Sequence, residues 1–274
     1  MKKYLPTNSP QLWKDSLVLA FSILGGIDLL MSISAISIDF ISDWRVRLVV
    51  LIGSYIVILA LVLIIKFYCV KNEIHLEIRG IKVIIKEGNL FKAVGWKLIP
   101  FNEYFDTQVD DVIIAHNTLN GKFIDNLNDN DRAALVSAIN DDNKSPLSRH
   151  FSPDGSKTGY ELGTIKTYQD YMMLALTHFN EQNEAHTNRA EYENTLRTMW
   201  REISRVYAGK PINIPLIGGG LTRLDDMSEK PNEQLLKCIL CTLRTSTVTF
   251  IEPITIIITK SALETINLYE LKGV

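Results

Sequence analysis

The sequence predicts an α/β fold: a mixed sheet flanked by helices, preceded by an N-terminal two-helix transmembrane hairpin. Three observations predict it. Two long apolar runs, Ser16–Ile38 and Val46–Tyr68, fill the first quarter of the 274 residues. From Glu73 onward, strand-like alternation and helix-like spacing of apolar residues follow one another along the chain. A glycine run, Gly218-Gly219-Gly220, stands between a strand pattern and a helix pattern.

Each apolar run is 23 residues long, and about 20 are needed to cross the hydrocarbon core. The link Asp39–Arg45 is short enough only for a tight hairpin, and Trp13 and Trp44 fall near the expected interfaces. A cleaved signal peptide fits poorly, because the first run is long and the second follows at once. Lys2, Lys3 and Lys14 precede the first span, and Lys66, Lys71, Arg79 and Lys82 follow the second. That bias places both termini in the cytoplasm of a multi-pass inner-membrane protein. The expected domains are a hairpin at 1–72, with spans near 16–38 and 46–68, and a cytoplasmic ligand-binding domain at 73–274.

Asp28 lies mid-span, where an unpaired carboxylate costs about 2.5–3.5 kcal/mol on insertion scales. Gly25, Asp28, Ser32 and Ala35 share one small, polar helix face. Two readings stand: Asp28 hydrogen-bonds to Ser54 or Tyr55 within the hairpin, or the face of Gly25, Asp28 and Ser32 meets other protomers or lines water in an assembly.

In the soluble part, Ile74, Leu76 and Ile78 alternate with polar residues as a half-buried strand does. Further strand-like runs are Lys82–Glu87, Lys97–Phe101, Val112–Ala115, Gly163–Tyr168, Tyr171–Phe179, Lys210–Ile217 and Val248–Ile258. Asn130–Ile139 reads as a helix with Leu135, Val136 and Ile139 inward. Asp141–Lys157, rich in Asp, Asn, Ser and Pro, reads as an exposed loop. Thr187–Tyr207 is a helix whose stripe of Tyr192, Leu196, Met199, Trp200, Ile203 and Val206 belongs to the core. Gly209 and Pro211 end it. Asn232–Leu243, entered through Pro231, is the next helix.

The net charge of −2 and the lack of a basic cluster with interleaved aromatics argue against nucleic acid as a partner. Three cysteines suit a reducing compartment. Cys238 and Cys241 have the spacing of a metal or redox motif but sit within a helical pattern, so both are expected to be buried there. His178 and His186 are expected on an exposed loop, and no metal is assigned to them. No local Ser/His/Asp or Cys/His set suggests a catalytic residue.

Gly218–Gly220 can be a plain turn, or its amides can be turned toward an anion at a helix start. The spacing is not that of a dinucleotide-binding fingerprint. With three further stretches, Lys86–Leu90, Ile99–Asp106 and Ala115–Phe123, the run Ile214–Leu221 resembles, in order, the ligand-binding loops of macro domains. The chain as a whole resembles the type II Thoeris antiphage effectors, which place two transmembrane helices ahead of a diverged macro domain.

That resemblance implies a macro-domain-like sheet and a site for an ADP-ribose conjugate, with no other cofactor. The signal would be a histidine conjugate made from NAD by a TIR-domain partner enzyme. Binding would drive homo-oligomerisation and disruption of the lipid bilayer; the alternative is a membrane-anchored ADP-ribosyl hydrolase. On this resemblance Asn89, beside Leu90, takes the adenine-contacting place usually held by Asp. Asn102 lies near the distal ribose. Asn120, Gly121, Lys122 and Phe123 replace the first glycine loop, and Gly218, Gly219, Gly220 and Leu221 form the second. Phe105 and Asp106 face the distal end, where Asp106 suits a cationic group.

Overall fold

The computed structural model describes residues 9–33, 43–70, 73–141, 149–152, 155–179, 185–220, 223–224 and 231–273. The chain divides into two units, Met1–Ile74 with Asn267–Gly273, and His75–Ile266.

The first unit holds helices α1 (Pro10–Ile33) and α2 (Trp44–Val70). Ser9 starts α1, its hydroxyl accepting from Leu12 N–H (3.1 Å). Asp43 does the same for α2 through Arg45 N–H (2.8 Å). One helix, Trp44–Tyr68, is long and apolar enough to cross a bilayer, and only 6% of its most apolar window is buried. A core helix of a soluble protein would be mostly covered. Only one of the two helices among the described residues meets that test, so the expected two-span hairpin and a multi-pass topology are not supported. The first expected span runs into residues 34–42, outside the described part.

On α1 the buried stripe is Leu12, Ser16 and Ala20, one residue per turn. Gly25 and Asp28 are exposed, while the side chain of Ser32 and all of Ala35 lie outside the described residues. Tyr55 packs its ring on Phe21, with centroids 4.6 Å apart. Its buried hydroxyl has no hydrogen-bond partner among the described residues, so it does not bond Asp28.

The second unit is built on strands β1 (Glu73–Ile78), β2 (Ile81–Glu87), β3 (Trp96–Asn102), β4 (Arg149–Phe151), β5 (Thr158–Tyr160), β6 (Ile165–Tyr168), β7 (Tyr171–Phe179), β8 (Ala185–Thr187), β9 (Ile212–Pro215), β10 (Arg223–Leu224) and β11 (Ile254–Ile258). Its helices are α3 (Leu119–Asp125), α4 (Asp129–Asn140), α5 (Arg189–Val206), α6 (Asn232–Thr245) and α7 (Lys260–Leu263). The main sheet runs β1-β2-β11-β9-β3-β7-β8-β10, with β6 antiparallel to β7. Strands β2, β11, β9, β3 and β7 are mutually parallel; β3, β9, β11 and most of β7 are buried residue after residue, as strands covered on both faces are, whereas β2 alternates buried and open positions.

One core cluster joins Ile99, Phe101, Met173 and Ala175 of the sheet to Phe123, Ile124, Leu135 and Ile139 of α3 and α4. Helix α5 buries Tyr192, Leu196, Met199, Trp200 and Ile203. It is held to α6 by Trp200 Nε1 donating to Thr242 Oγ1 (3.1 Å). A capping box of Asn188 and Glu191 sets where α5 begins.

Local details differ from expectation where neighbours decide. Val136 is exposed because α4 turns Leu135 and Ile139 inward instead. Cys238 is half-buried and Cys241 exposed, since Leu235, Leu236, Ile239, Leu240 and Leu243 take the inner stripe of α6. Val112–Ala115 is not a strand but makes a single bridge, Val109 to Ile114. The late strand begins only at Ile254, after Pro253. Within the expected loop 141–157, Arg149–Phe151 forms β4, which pairs antiparallel with β5 just beyond it, His150 facing Gly159.

Candidate functional site

Because the five central strands run parallel, their carboxyl ends share one edge of the sheet, which is where open α/β sheets bind ligands. Gly88 and Asn89 end β2, Asn102–Asp106 end β3, and Leu216–Gly220 follow β9. Three of the four stretches singled out by sequence therefore meet at that edge.

At β2, Gly88 N–H donates to Ile258 O (3.2 Å), tying this exit to the end of β11. Asn89 is exposed. Its Oδ1 accepts from Phe91 N–H (3.0 Å) and caps the 3-10 turn Leu90–Lys92, turning Leu90 into the core.

At β9, Gly218 adopts φ +79°, a conformation an L side chain resists. A Cβ there would lie 3.2 Å from the ring of Tyr192. The Tyr192 hydroxyl donates to Ile217 O (2.8 Å), and burial raises its pKa far above the usual phenol value. Gly219 N–H closes the turn on Leu216 O (3.2 Å). Gly219 and Gly220 are exposed, so the turn is anchored from below and open above. Leu221 lies outside the described residues.

At β3, Asn102 is buried and its side chain is occupied. Oδ1 accepts from the N–H groups of Tyr104 and Asp106 (3.2 Å each), and Nδ2 donates to Asp106 Oδ2 (2.8 Å). The other Asp106 oxygen accepts from Lys157 Nζ (2.7 Å), which also lies over the Tyr104 ring. The Asp106 side chain is 12% exposed and that of Lys157 is 39% exposed. The positive group, not the carboxylate, is thus the more open of the pair. Phe105, at φ +52°, turns its ring inward against Tyr160 and Phe101.

Glu103 organises the same turn. Its buried carboxylate meets His178 Nδ1 (2.7 Å) and His150 Nε2 (2.9 Å) through Oε2, and accepts from Phe179 N–H (3.2 Å) through Oε1. Burial pushes its pKa up, but the bond and charge of His178, the Phe179 amide and His150 together hold it below the usual value. The same bond to Glu103 raises His178 against the opposing effect of burial. His178 therefore sits at the end of β7 and His186 on β8, rather than on a loop.

The fourth stretch lies on the α3 side. Thr118 caps α3 by accepting from Gly121 N–H (3.1 Å), and Asn120 Oδ1 accepts from the Thr118 hydroxyl (2.6 Å). Gly121 is obligatory: a Cβ would come within 2.3 Å of Ala115 O. Lys122 is exposed. Phe123 is buried between Phe101 and Tyr171. Leu90, Phe105 and Phe123 thus belong to the core beneath the edge, while Asn89, Lys122, Gly219 and Gly220 are open to solvent. Lys157, Glu103 and His150, and the pairing of His178, escaped sequence reading, because 47 to 75 residues separate the partners and no local pattern marks them.

Residues 83–259 match the family model for the macro domain of the Thoeris protein ThsA. The chain belongs to the Thoeris ThsA family. The Thoeris protein ThsA of Bacillus amyloliquefaciens (strain Y2) is 39% identical over 241 residues, covering 84% of this chain and 80% of that protein. A solved macrodomain of Oceanobacillus iheyensis with ADP matches over 73% of this chain and 94% of its own, at 12% identity and a TM-score of 0.44. The ThsA macro match opens in β2 and closes just after β11, so it takes in every loop at the carboxyl edge.

Proposed function

We propose that this ThsA-family chain is a receptor and effector of antiphage defence. An ADP-ribose-derived signal, of which a histidine conjugate from a TIR-domain enzyme is the expected form, occupies the carboxyl edge of the sheet. Occupancy drives homo-oligomerisation, and the apolar helix α2 then disrupts the inner membrane. Residues 1–72 serve as the membrane part and 73–274 as the signal-binding part.

The observation that carries this reading is the meeting of Gly88-Asn89, Asn102–Asp106 and Gly218–Gly220 at one sheet edge inside a ThsA macro match. The chemistry suits an anion with a sugar. The Gly218–Gly220 turn is open above and lacks side chains, so a diphosphate can approach its backbone closely. Lys157 neutralises Asp106 and presents a half-exposed cation beside it. Asn89 offers an amide at the other end of the edge. The ligand acts on assembly only if the assembled state binds it better. Converting a 1:99 equilibrium to 99:1 takes about 5.5 kcal/mol of such preference.

The test titrates full-length protein in vesicles with ADP-ribose and with its histidine conjugate. Binding heat, particle growth and dye leakage together support the receptor and effector. Turnover of an ADP-ribose ester supports the anchored hydrolase in its place. Binding with neither leakage nor turnover reduces the protein to a tethered binding module.

A further inference from the structure

The unit that contains α1 and α2 also contains the last turn of the chain described, Leu268–Gly273. This turn is not a loose end. Leu268, Tyr269 and Leu271 are all less than 5% exposed, as buried as Leu12 and Ser16 of α1. Asn267 Oδ1 caps it by accepting from Tyr269 N–H (3.1 Å) and Glu270 N–H (3.3 Å). The turn lies against α1.

Two polar bonds fasten it to the start of α1. The Tyr269 hydroxyl donates to Asp15 Oδ2 (2.7 Å), and the Ser9 hydroxyl donates to Glu270 Oε1 (2.5 Å). Tyr269 also reaches the end of α2, with Lys66 Nζ 5.8 Å from its ring centre. One side chain thus touches both helices, at the first turns of α1 and the last turns of α2.

The same segment is covalently continuous with the signal-binding sheet. β11 ends at Ile258, whose carbonyl takes Gly88 N–H at the exit of β2, and whose register partner is Glu87. Thr259 then caps α7, and Asn267 follows only a few residues after Leu263. The other covalent route into the helices is α2 itself, which ends at Val70 just ahead of β1 at Glu73. Helix α1 has no covalent route of its own except through α2.

We propose that Leu268–Gly273 is a coupling strap: it ties the start of α1 to the strand that ends beside Gly88-Asn89, so that occupancy of the sheet edge reaches α1 as well as α2. The proposal rests on the signal-binding reading above. A ligand changes an equilibrium only through interactions that differ between its states. Coupling requires that the clasp of Ser9, Asp15, Tyr269 and Glu270 be seated in one of those states and released in the other.

The test uses full-length protein in phosphatidylethanolamine–phosphatidylglycerol vesicles, with ADP-ribose as the probe. Tyr269→Phe with Glu270→Ala removes both bonds of the strap, keeps the buried ring and leaves the Ser9 cap of α1 in place. Calorimetry should give wild-type affinity for ADP-ribose, and hydrogen exchange should show residues 267–273 deprotected with 75–266 unchanged. ADP-ribose-dependent leakage should fall about tenfold, a typical coupling between sites. Wild-type leakage from a variant whose strap is deprotected overturns the proposal. If wild-type protein gives no binding heat, the signal-binding reading falls and the coupling falls with it. Loss of leakage with binding intact separates the strap from the site.

Discussion

Gly218→Ala is the sharpest single probe of the glycine turn. The residue sits at φ +79°, where a Cβ crowds the backbone. An L-residue there costs about 1–2 kcal/mol. The new methyl would also lie 3.2 Å from the Tyr192 ring, tighter than an ordinary contact. Tyr192 cannot easily retreat, because its hydroxyl is bonded to Ile217 O and its ring is buried. We expect a loss of about 2 kcal/mol. For a domain the size of His75–Ile266 that is a fall of roughly 4–8 °C in Tm, read by thermal unfolding of the full-length protein. Gly220→Ala is the control, since a Cβ there meets nothing within 4 Å and Tm should hold. Equal Tm for wild type and Gly218→Ala would refute the left-handed turn, and with it the argument that the run is built for close approach.

Other expectations follow from the same geometry. Gly121→Ala drives a methyl into Ala115 O, at 2.3 Å, and should cost about 1–3 kcal/mol by denaturant unfolding. Tyr192→Phe leaves Ile217 O without its donor in a buried place and should cost about 1–3 kcal/mol in the same assay. Lys157→Met should weaken ADP-ribose binding roughly fivefold by calorimetry, about 1 kcal/mol, with a shallower salt dependence; an unchanged Kd removes Lys157 from the site. For His178→Gln the sign follows from the shifts. The raised His178 stabilises fully below 6.5 and loses that contribution as pH rises through its folded pKa. The lowered Glu103 stabilises above 4.5 and loses that as pH falls through its folded pKa. Wild type should exceed the variant most between these values, by about 1 kcal/mol since the imidazole is half exposed, and the gap should close in alkali. A gap independent of pH would mean that the pair is not ionic.

Much of the fold is legible along the chain because it depends on local periodicity. The parallel strands announce themselves as short apolar runs, β-branched in β2 and β11, and α5 as a stripe of six apolar residues closed by Gly209. The limits of the elements are less legible, because they depend on partners. Pro253 and the register against β9 start β11 at Ile254, and the hairpin β4–β5 forms from a segment whose composition reads as loop. The glycine run could be located but not judged, since the left-handed φ of Gly218 and the Tyr192 ring beneath it are tertiary facts. Of the residues offered for the site, Leu90, Phe105 and Phe123 lie in the core. A side chain's facing in an irregular loop has no period to betray it.

What the sequence determined alone is therefore the one-dimensional part: an apolar run at Val46–Tyr68, alternating strands and helices, the order of the loops, and the likeness to Thoeris effectors that those loops carry. These depend on spacing and composition, which the chain states directly. The tertiary structure decided which groups stand together. It paired Lys157 with Asp106 and two histidines with Glu103, and it seated Tyr269 on Asp15 across more than 250 residues. Such contacts are fixed by the packing of distant segments, and no local window of sequence contains both partners.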